Sequence, residues 1–145
     1  MKTKKELASE KFQSGYNCAQ SILHTFRDEG NLDEDTALKM ATGLGAGMGR
    51  KVEICGAVSG GILILGMRYG RGKSDEPSAA ENAYRATWKL MDRFAEKHGT
   101  YNCYKLLGGC DLASDEGKRR FKEENLRDGV CLKCVETVAE LLEEM

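Results

Sequence analysis

Apolar residues recur at helical intervals along most of the chain, starting with Ala8, Phe12, Ala19, Ile22/Leu23 and Phe26. They follow Thr3-Lys4-Lys5-Glu6, which has the S/T-x-x-E form of a capping box. Gly15 should divide this stretch into two helices or bend one. Asp33 is placed to cap a second short helix through Ala37, Leu38 and Ala41, which ends where glycine takes every second position. That run, Gly43, Gly45, Gly47 and Gly49, predicts a loop. A third helix is expected from about Ile54 to Met67 and a fourth from about Ala79 to Lys97. The fourth has a capping-box sequence at Ser78-Ala79-Ala80-Glu81, Pro77 just before it and Gly99 to close it. Its expected buried stripe is Ala80, Ala83/Tyr84, Trp88, Met91 and Phe94/Ala95. A short helix follows near Cys103 to Leu107, then a polar segment from Asp111 to Arg127. A last helix runs from about Gly129 to Glu144, burying Val130, Cys134/Val135, Val138 and Leu141/Leu142.

Composition supports the same picture. Val, Ile and Thr together number only 16 of 145 residues, whereas helix formers abound, so a sandwich or barrel is excluded and an all-α bundle is expected. The expected architecture is one domain, residues 1–145, of five or six helices with a Gly-rich loop. With 22 basic and 23 acidic side chains, the net charge of -1 gives no overall attraction to nucleic acid or anionic membranes. Basic residues cluster at Arg68, Arg71 and Lys73 and again at Lys118, Arg119, Arg120 and Lys122. The second cluster is answered by Glu123 and Glu124, so it reads as a solvated face. The apolar stretch from Ile54 to Met67 is shorter than the ~18–20 residues that span a bilayer, so no membrane insertion is expected. The charged start MKTKKELASEKF lacks the apolar core of a secretion signal, which makes a reducing cytoplasm the expected compartment.

In that compartment thiols stay reduced unless they bind metal or do redox work, which directs attention to the cysteines. They lie at Cys18, Cys55, Cys103, Cys110, Cys131 and Cys134, and only tertiary folding can unite them. Tyr-Asn-Cys occurs twice, at Tyr16-Asn17-Cys18 and Tyr101-Asn102-Cys103, suggesting two similar cysteine-bearing helix starts. Cys131-Leu132-Lys133-Cys134 is the one close pair. On a helix its two sulfurs could share a metal or a disulfide, or pack as small hydrophobes. With Asp128 as N-cap, Cys131 would be the third helical residue, where free N–H groups favour a thiolate although the Asp128 carboxylate opposes it.

Cys55 opens Cys55-Gly56-Ala57-Val58-Ser59-Gly60-Gly61. Each glycine inside a helix costs about 1 kcal/mol against alanine, so three of them imply a close approach. Either another helix crosses tightly there, or the bare backbone admits a cofactor or a second cysteine-bearing helix. Gly43 to Gly49 lacks the spacing and the preceding strand of a dinucleotide loop. It could offer N–H groups to an anion beside Arg50 and Lys51, but reads better as a connection. Ala57 to Gly61 has no strand leading into it and is not a nucleophile elbow. His24 and His98 belong to no ligand motif.

Gly15-Tyr16-Asn17-Cys18-Ala19-Gln20, the Cys55 to Gly60 element, Asn102-Cys103 leading to Leu106-Leu107-Gly108, and Cys131 heading the last helix together resemble the C_GCAxxG_C_C family. The likeness runs from about Phe12 to Leu142. It implies redox-active or ligand thiols at Cys18, Cys55, Cys103 and Cys131, while the glycine spacing separately predicts that Gly56 and Gly60 lie on a helix face that is close-packed or cofactor-facing. Cys110 and Cys134 look like additions, Cys134 being an alternate for the last position. A related module is similar to part of the split-Soret cytochromes, but no CxxCH sequence is present and no haem is implied.

Three functions compete at this stage. Four convergent thiolates suit an iron–sulfur cluster or a dithiol/disulfide couple serving a redox partner protein of unknown identity. The same thiols could instead hold structural zinc in a non-catalytic interaction domain. Alternatively they are buried core residues of a plain helical interaction protein.

Overall fold

The computed structural model describes residues 1–145 and contains eight α-helices. They are α1 (Lys4–Gln13), α2 (Cys18–Thr25), α3 (Glu34–Ala41), α4 (Gly56–Tyr69), α5 (Ala79–His98), α6 (Cys103–Leu106), α7 (Asp115–Glu123) and α8 (Leu132–Glu144). The all-α expectation is met, but the count exceeds five or six for two reasons. Gly15, at φ +113, separates α1 from α2 completely. The polar segment after Asp111 also contains α7, started by the Ser114 hydroxyl accepting from Gly117 N–H at 2.9 Å. Gly117 is the one residue α7 buries, so no apolar stripe marks it in the sequence.

The core forms where α1 packs on α8, α2 on α4, and α4 on α5. Phe12, Ile22, Leu23, Phe26, Val58, Ile64, Leu65, Leu90, Phe94, Val138 and Leu142 meet in this cluster. Each buried side chain of that size contributes about 1.5–3 kcal/mol against exposure. Glycine allows the central contacts: a Cβ on Gly60 would lie 3.0 Å from the Ala19 carbonyl oxygen, and one on Gly61 2.9 Å from both Leu90 and Val138. A smaller cluster of Val52, Cys103, Leu107, Cys110 and Leu112 lies beside it, with Phe121 and Val130 packed against it. No helix is long and apolar enough to cross a membrane.

Three local expectations are corrected. Ser78 makes no side-chain cap to α5; its backbone is already helical, at φ -63 and ψ -19. The buried face of α5 is Leu90 and Phe94, with Ala86 and Met91 packing beside them, while Tyr84 and Trp88 are 55% and 63% exposed. Two apolar stripes compete on that helix, and contact with α4 and α8 selects the second. Finally, Asp128 is not an N-cap. Arg127–Cys131 forms a π-turn continuous with α8, so Cys131 sits inside helical structure rather than at its free N-terminus.

Candidate functional site

The two Tyr-Asn-Cys segments adopt the same local structure. Asn17 and Asn102 are N-caps, their side-chain oxygens accepting from Gln20 N–H and Lys105 N–H at 2.9 Å each, so Cys18 and Cys103 are the first residues of α2 and α6. Gln20 completes a capping box by accepting from Asn17 N–H at 3.0 Å. Its amide also donates to Leu38 O at 3.0 Å and Thr42 Oγ1 at 3.1 Å, tying the start of α2 to α3.

Backbone pairing brings the next cysteine alongside. Residues 52–55 run antiparallel to 101–104: Cys55 N–H donates to Tyr101 O at 2.9 Å and Tyr104 N–H to Val52 O at 3.0 Å. Cys55 is itself the N-cap of α4. Gly56 then faces α2, where a Cβ would lie 2.7 Å from the Cys18 sulfur.

Between α3 and this ladder the chain makes a left-handed turn. Ala46, Gly47, Met48, Gly49 and Arg50 all have positive φ, between 54° and 75°. Only glycine adopts that region freely, and other residues lose roughly 1–2 kcal/mol there. At Gly47 space also demands glycine, since a Cβ would lie 2.6 Å from Glu53 N and 2.8 Å from the Cys103 Cβ. The turn places the Ala46 N–H as a donor to the Cys18 sulfur.

Cys131 and Cys134 approach from the opposite side. Arg127, at the head of the π-turn, donates to the carbonyls of Phe12 and, at 2.9 Å, of Tyr16, and stacks 3.9 Å over the Phe12 ring. It thereby fastens the α1–α2 connection to the segment that carries Cys131. π-turns break the regular helical ladder and recur at functional positions.

These segments enclose a cavity of about 270 Å³, lined by Cys18, Cys55, Cys103, Cys131 and Cys134. Its remaining walls are mostly apolar, among them Phe12, Leu107 and Phe121, and its charged linings are Arg50, Lys118 and Arg127. The structure thus unites the four cysteines nominated by the sequence and adds Cys134 as a fifth. Gly56 lines the cavity; Gly60 does not, and instead packs against Ala19 and Ile22. Cys110 lies apart, its thiol donating to Gly117 O at 3.0 Å. His24 is near Glu34, and His98 shares a hydrogen bond with Thr137 at 2.8 Å; neither reaches the cavity.

Electrostatics divides the five thiols. Burial, then negative charge at Cys55, push Cys18 up to about 11, against the N–H groups of Ala46, Cys18 and Ala19. Burial likewise raises Cys103 to about 12, reinforced by Cys55, Cys18 and Cys110, and also raises Cys131. Cys55 goes the other way. The neighbouring Cys134 thiol donates to it, and the Ala57 and Val58 N–H groups at the start of α4 add to the effect, holding it below the ordinary thiol range despite burial. Cys134, as the donor of that pair, is raised.

The soft donors are all thiols, with the Asn17 amide beside them and no carboxylate or imidazole on the cavity wall. Soft thiolates select zinc, copper(I) or iron–sulfur centres. No three His, Cys, Asp or Glu side chains are grouped closely enough to hold a single ion. One zinc ion would need its sulfurs about 2.3 Å from a common point.

Arg50 is the one wall cation that the glycine pattern pointed to, through its position beside the run. Lys118 belongs to the basic cluster that reads as a solvated face in the sequence, and Arg127 carries no sequence signal, because its role depends on tertiary contacts.

No curated protein and no solved structure matches the chain. One family does, by the description "Putative redox-active protein (C_GCAxxG_C_C)". The match covers residues 16–145, from the first Tyr-Asn-Cys element through α8, and the chain belongs to the C_GCAxxG_C_C family.

Proposed function

We propose that the protein is an electron-transfer protein whose cavity thiols hold an iron–sulfur cluster, with Cys18, Cys55, Cys103 and Cys131 as ligands and Cys134 as the alternate for the last. One observation carries this reading: cysteines from four separate segments wall a single, largely apolar cavity that holds no carboxylate or imidazole side chain. A bound cluster supplies one-electron chemistry that thiols alone lack. The chain's own residues do the rest. Asn17 and Asn102 fix the starts of the helices that present Cys18 and Cys103, and Gly56 leaves room for the Cys18 sulfur. The Ala46 N–H donates to that sulfur, and Arg127 holds the two sides of the cavity together. High thiol pKa values do not oppose the assignment, because metal ions displace thiol protons.

A second reading has its own support in the Cys55–Cys134 pair, in which a lowered thiol lies beside a donor thiol. Oxidation would form one S–S bond and release two electrons and two protons to an oxidised partner. The protein would then be a dithiol/disulfide carrier.

Anaerobic purification and reconstitution with ferrous iron and sulfide separate the two. The cluster reading expects visible absorption with stoichiometric iron and sulfide, lost when Cys18 or Cys103 becomes serine. Colourless protein with one reversible disulfide supports the pair. Colourless protein with stoichiometric zinc, or with inert thiols, overturns both. A cytoplasmic site of action accords with either reading and is tested by fractionation.

A further inference from the structure

We propose that the mouth of the cysteine cavity is a docking surface for an acidic redox partner protein, an inference that rests on the redox reading above. All three charged residues lining the cavity are cationic: Arg50, Lys118 and Arg127. Arg127 is turned inward onto the Phe12 and Tyr16 carbonyls. Arg50 and Lys118 are exposed and make no ion pair. Lys118 differs here from its neighbours Arg119 and Arg120, which pair along α7 with Glu123 and Glu124.

Two exposed apolar side chains lie close in sequence to residues that line the cavity. Met48 lies two residues before Arg50 in the left-handed turn, and Tyr104 directly follows Cys103; each is 44% exposed. Met48 at φ +74 and Arg50 at φ +75 hold a conformation that disfavours any side chain. Such strain recurs where a side chain must be presented in one direction. An exposed aromatic and a methionine close in sequence to cavity-lining residues, together with unpaired cations at the cavity, match the make-up of a protein interface, and like-signed rim charges mainly steer association. The whole chain has a net charge of -1, so attraction to an acidic partner is local to this mouth.

The test is stopped-flow electron exchange between the reconstituted protein and a reduced ferredoxin, an acidic carrier, with basic cytochrome c as the contrasting probe. Wild type should exchange with ferredoxin about tenfold or more faster at 50 mM than at 500 mM salt. R50E/K118E should lose about tenfold at low salt and gain rate with cytochrome c; because both residues line the cavity, the midpoint potential of each protein is measured by mediated titration and the rates are compared at equal driving force. K118E alone, on an exposed helix face, should lose several-fold and carries the test if the double variant does not fold. Equal rates for wild type and variants, or rates indifferent to salt, overturn the docking surface and leave the redox reading standing. Inhibition by inorganic phosphate at constant ionic strength marks the mouth as a small-anion site and also overturns it. If mediated titration finds no redox couple, the redox reading fails and the docking proposal falls with it.

Discussion

Gly56 lies against Cys18: a Cβ on Gly56 would come within 2.7 Å of the Cys18 sulfur and 3.1 Å of the Leu44 carbonyl oxygen. The first cysteine is therefore seated against bare backbone beside the second.

Gly56→Ala should move the Cys18 sulfur and lower the stability of the metal-free protein by about 1–3 kcal/mol, the usual range for overpacking. Cluster yield on reconstitution should fall in parallel. Gly60→Leu should unfold the protein, because α2 backbone lies 3.0 Å from the added Cβ. Urea titration checks both, and near wild-type midpoints would show that the glycine face is not needed for close packing.

The left-handed turn supplies a contrasting pair. Gly47→Ala puts a Cβ 2.6 Å from the backbone of Val52 and Glu53, so it should cost more than about 2 kcal/mol. Met48→Gly, at an exposed position with φ +74, relieves strain at the expense of chain entropy. It should stay within about 1 kcal/mol of wild type or exceed it. A Gly47→Ala protein as stable as wild type would mean that this turn can relax.

How far the site could be read from sequence depended on the range of the interactions that set it. The echo of Tyr-Asn-Cys revealed two like helix starts because N-capping acts within four residues. Gly15 broke the first helix as expected, for the same local reason. Tyr84 and Trp88 were assigned to the core because α5 has two apolar stripes, and only the positions of α4 and α8 choose between them. α7 was invisible because it buries little, and Cys131 was misplaced because a π-turn carries no sequence rule. The Arg127 contact joins residues 111 and 115 positions apart, far outside any local pattern.

Alkaline pH should destabilise the reduced, metal-free protein. Cys18 and Cys103 have folded values near 11 and 12, above the ordinary thiol value of 9.0. Between these limits the unfolded chain has lost protons that the folded protein keeps, so stability falls as pH rises, by up to about 1.4 kcal/mol per thiol per unit. Cys55, shifted the other way, offsets part of this just below the ordinary value. Denaturation at pH 8 and pH 10 should show the loss, and C18S/C103S should flatten it. An equally steep fall in that variant would assign the effect to other groups.

Arg127→Ala removes two charge-assisted bonds to backbone carbonyls and the stacking on Phe12. Each bond to a charged group is worth about 1.5–3 kcal/mol, so the variant should lose about 2–4 kcal/mol, since the effects are not additive. Arg127→Lys should not restore it, because an ammonium lacks the planar guanidinium that stacks on the Phe12 ring while one of its nitrogens bonds both carbonyls. Thermal unfolding measures the loss, and full recovery with lysine would reduce the residue's role to charge alone.

The two asparagine caps should differ in weight. Asn102 makes one cap bond, to Lys105 N–H, so Asn102→Ala should cost about 1 kcal/mol. Asn17 caps α2 and also donates to Thr42 O at 3.0 Å, while its box partner Gln20 bonds Leu38 and Thr42. Asn17→Ala therefore loosens the junction of α2 with α3 and frees the backbone that seats Cys18. Its cost should approach about 2 kcal/mol, the upper end for a cap. Because Gly45 is packed on the Asn17 side chain, with a Cβ there only 2.3 Å from it, the alanine variant also opens space beside the left-handed turn. Hydrogen exchange should then quicken at the start of α2 and in residues 45–50 in Asn17→Ala, but at α6 alone in Asn102→Ala. Identical exchange patterns in the two variants would show that the caps act only on their own helices.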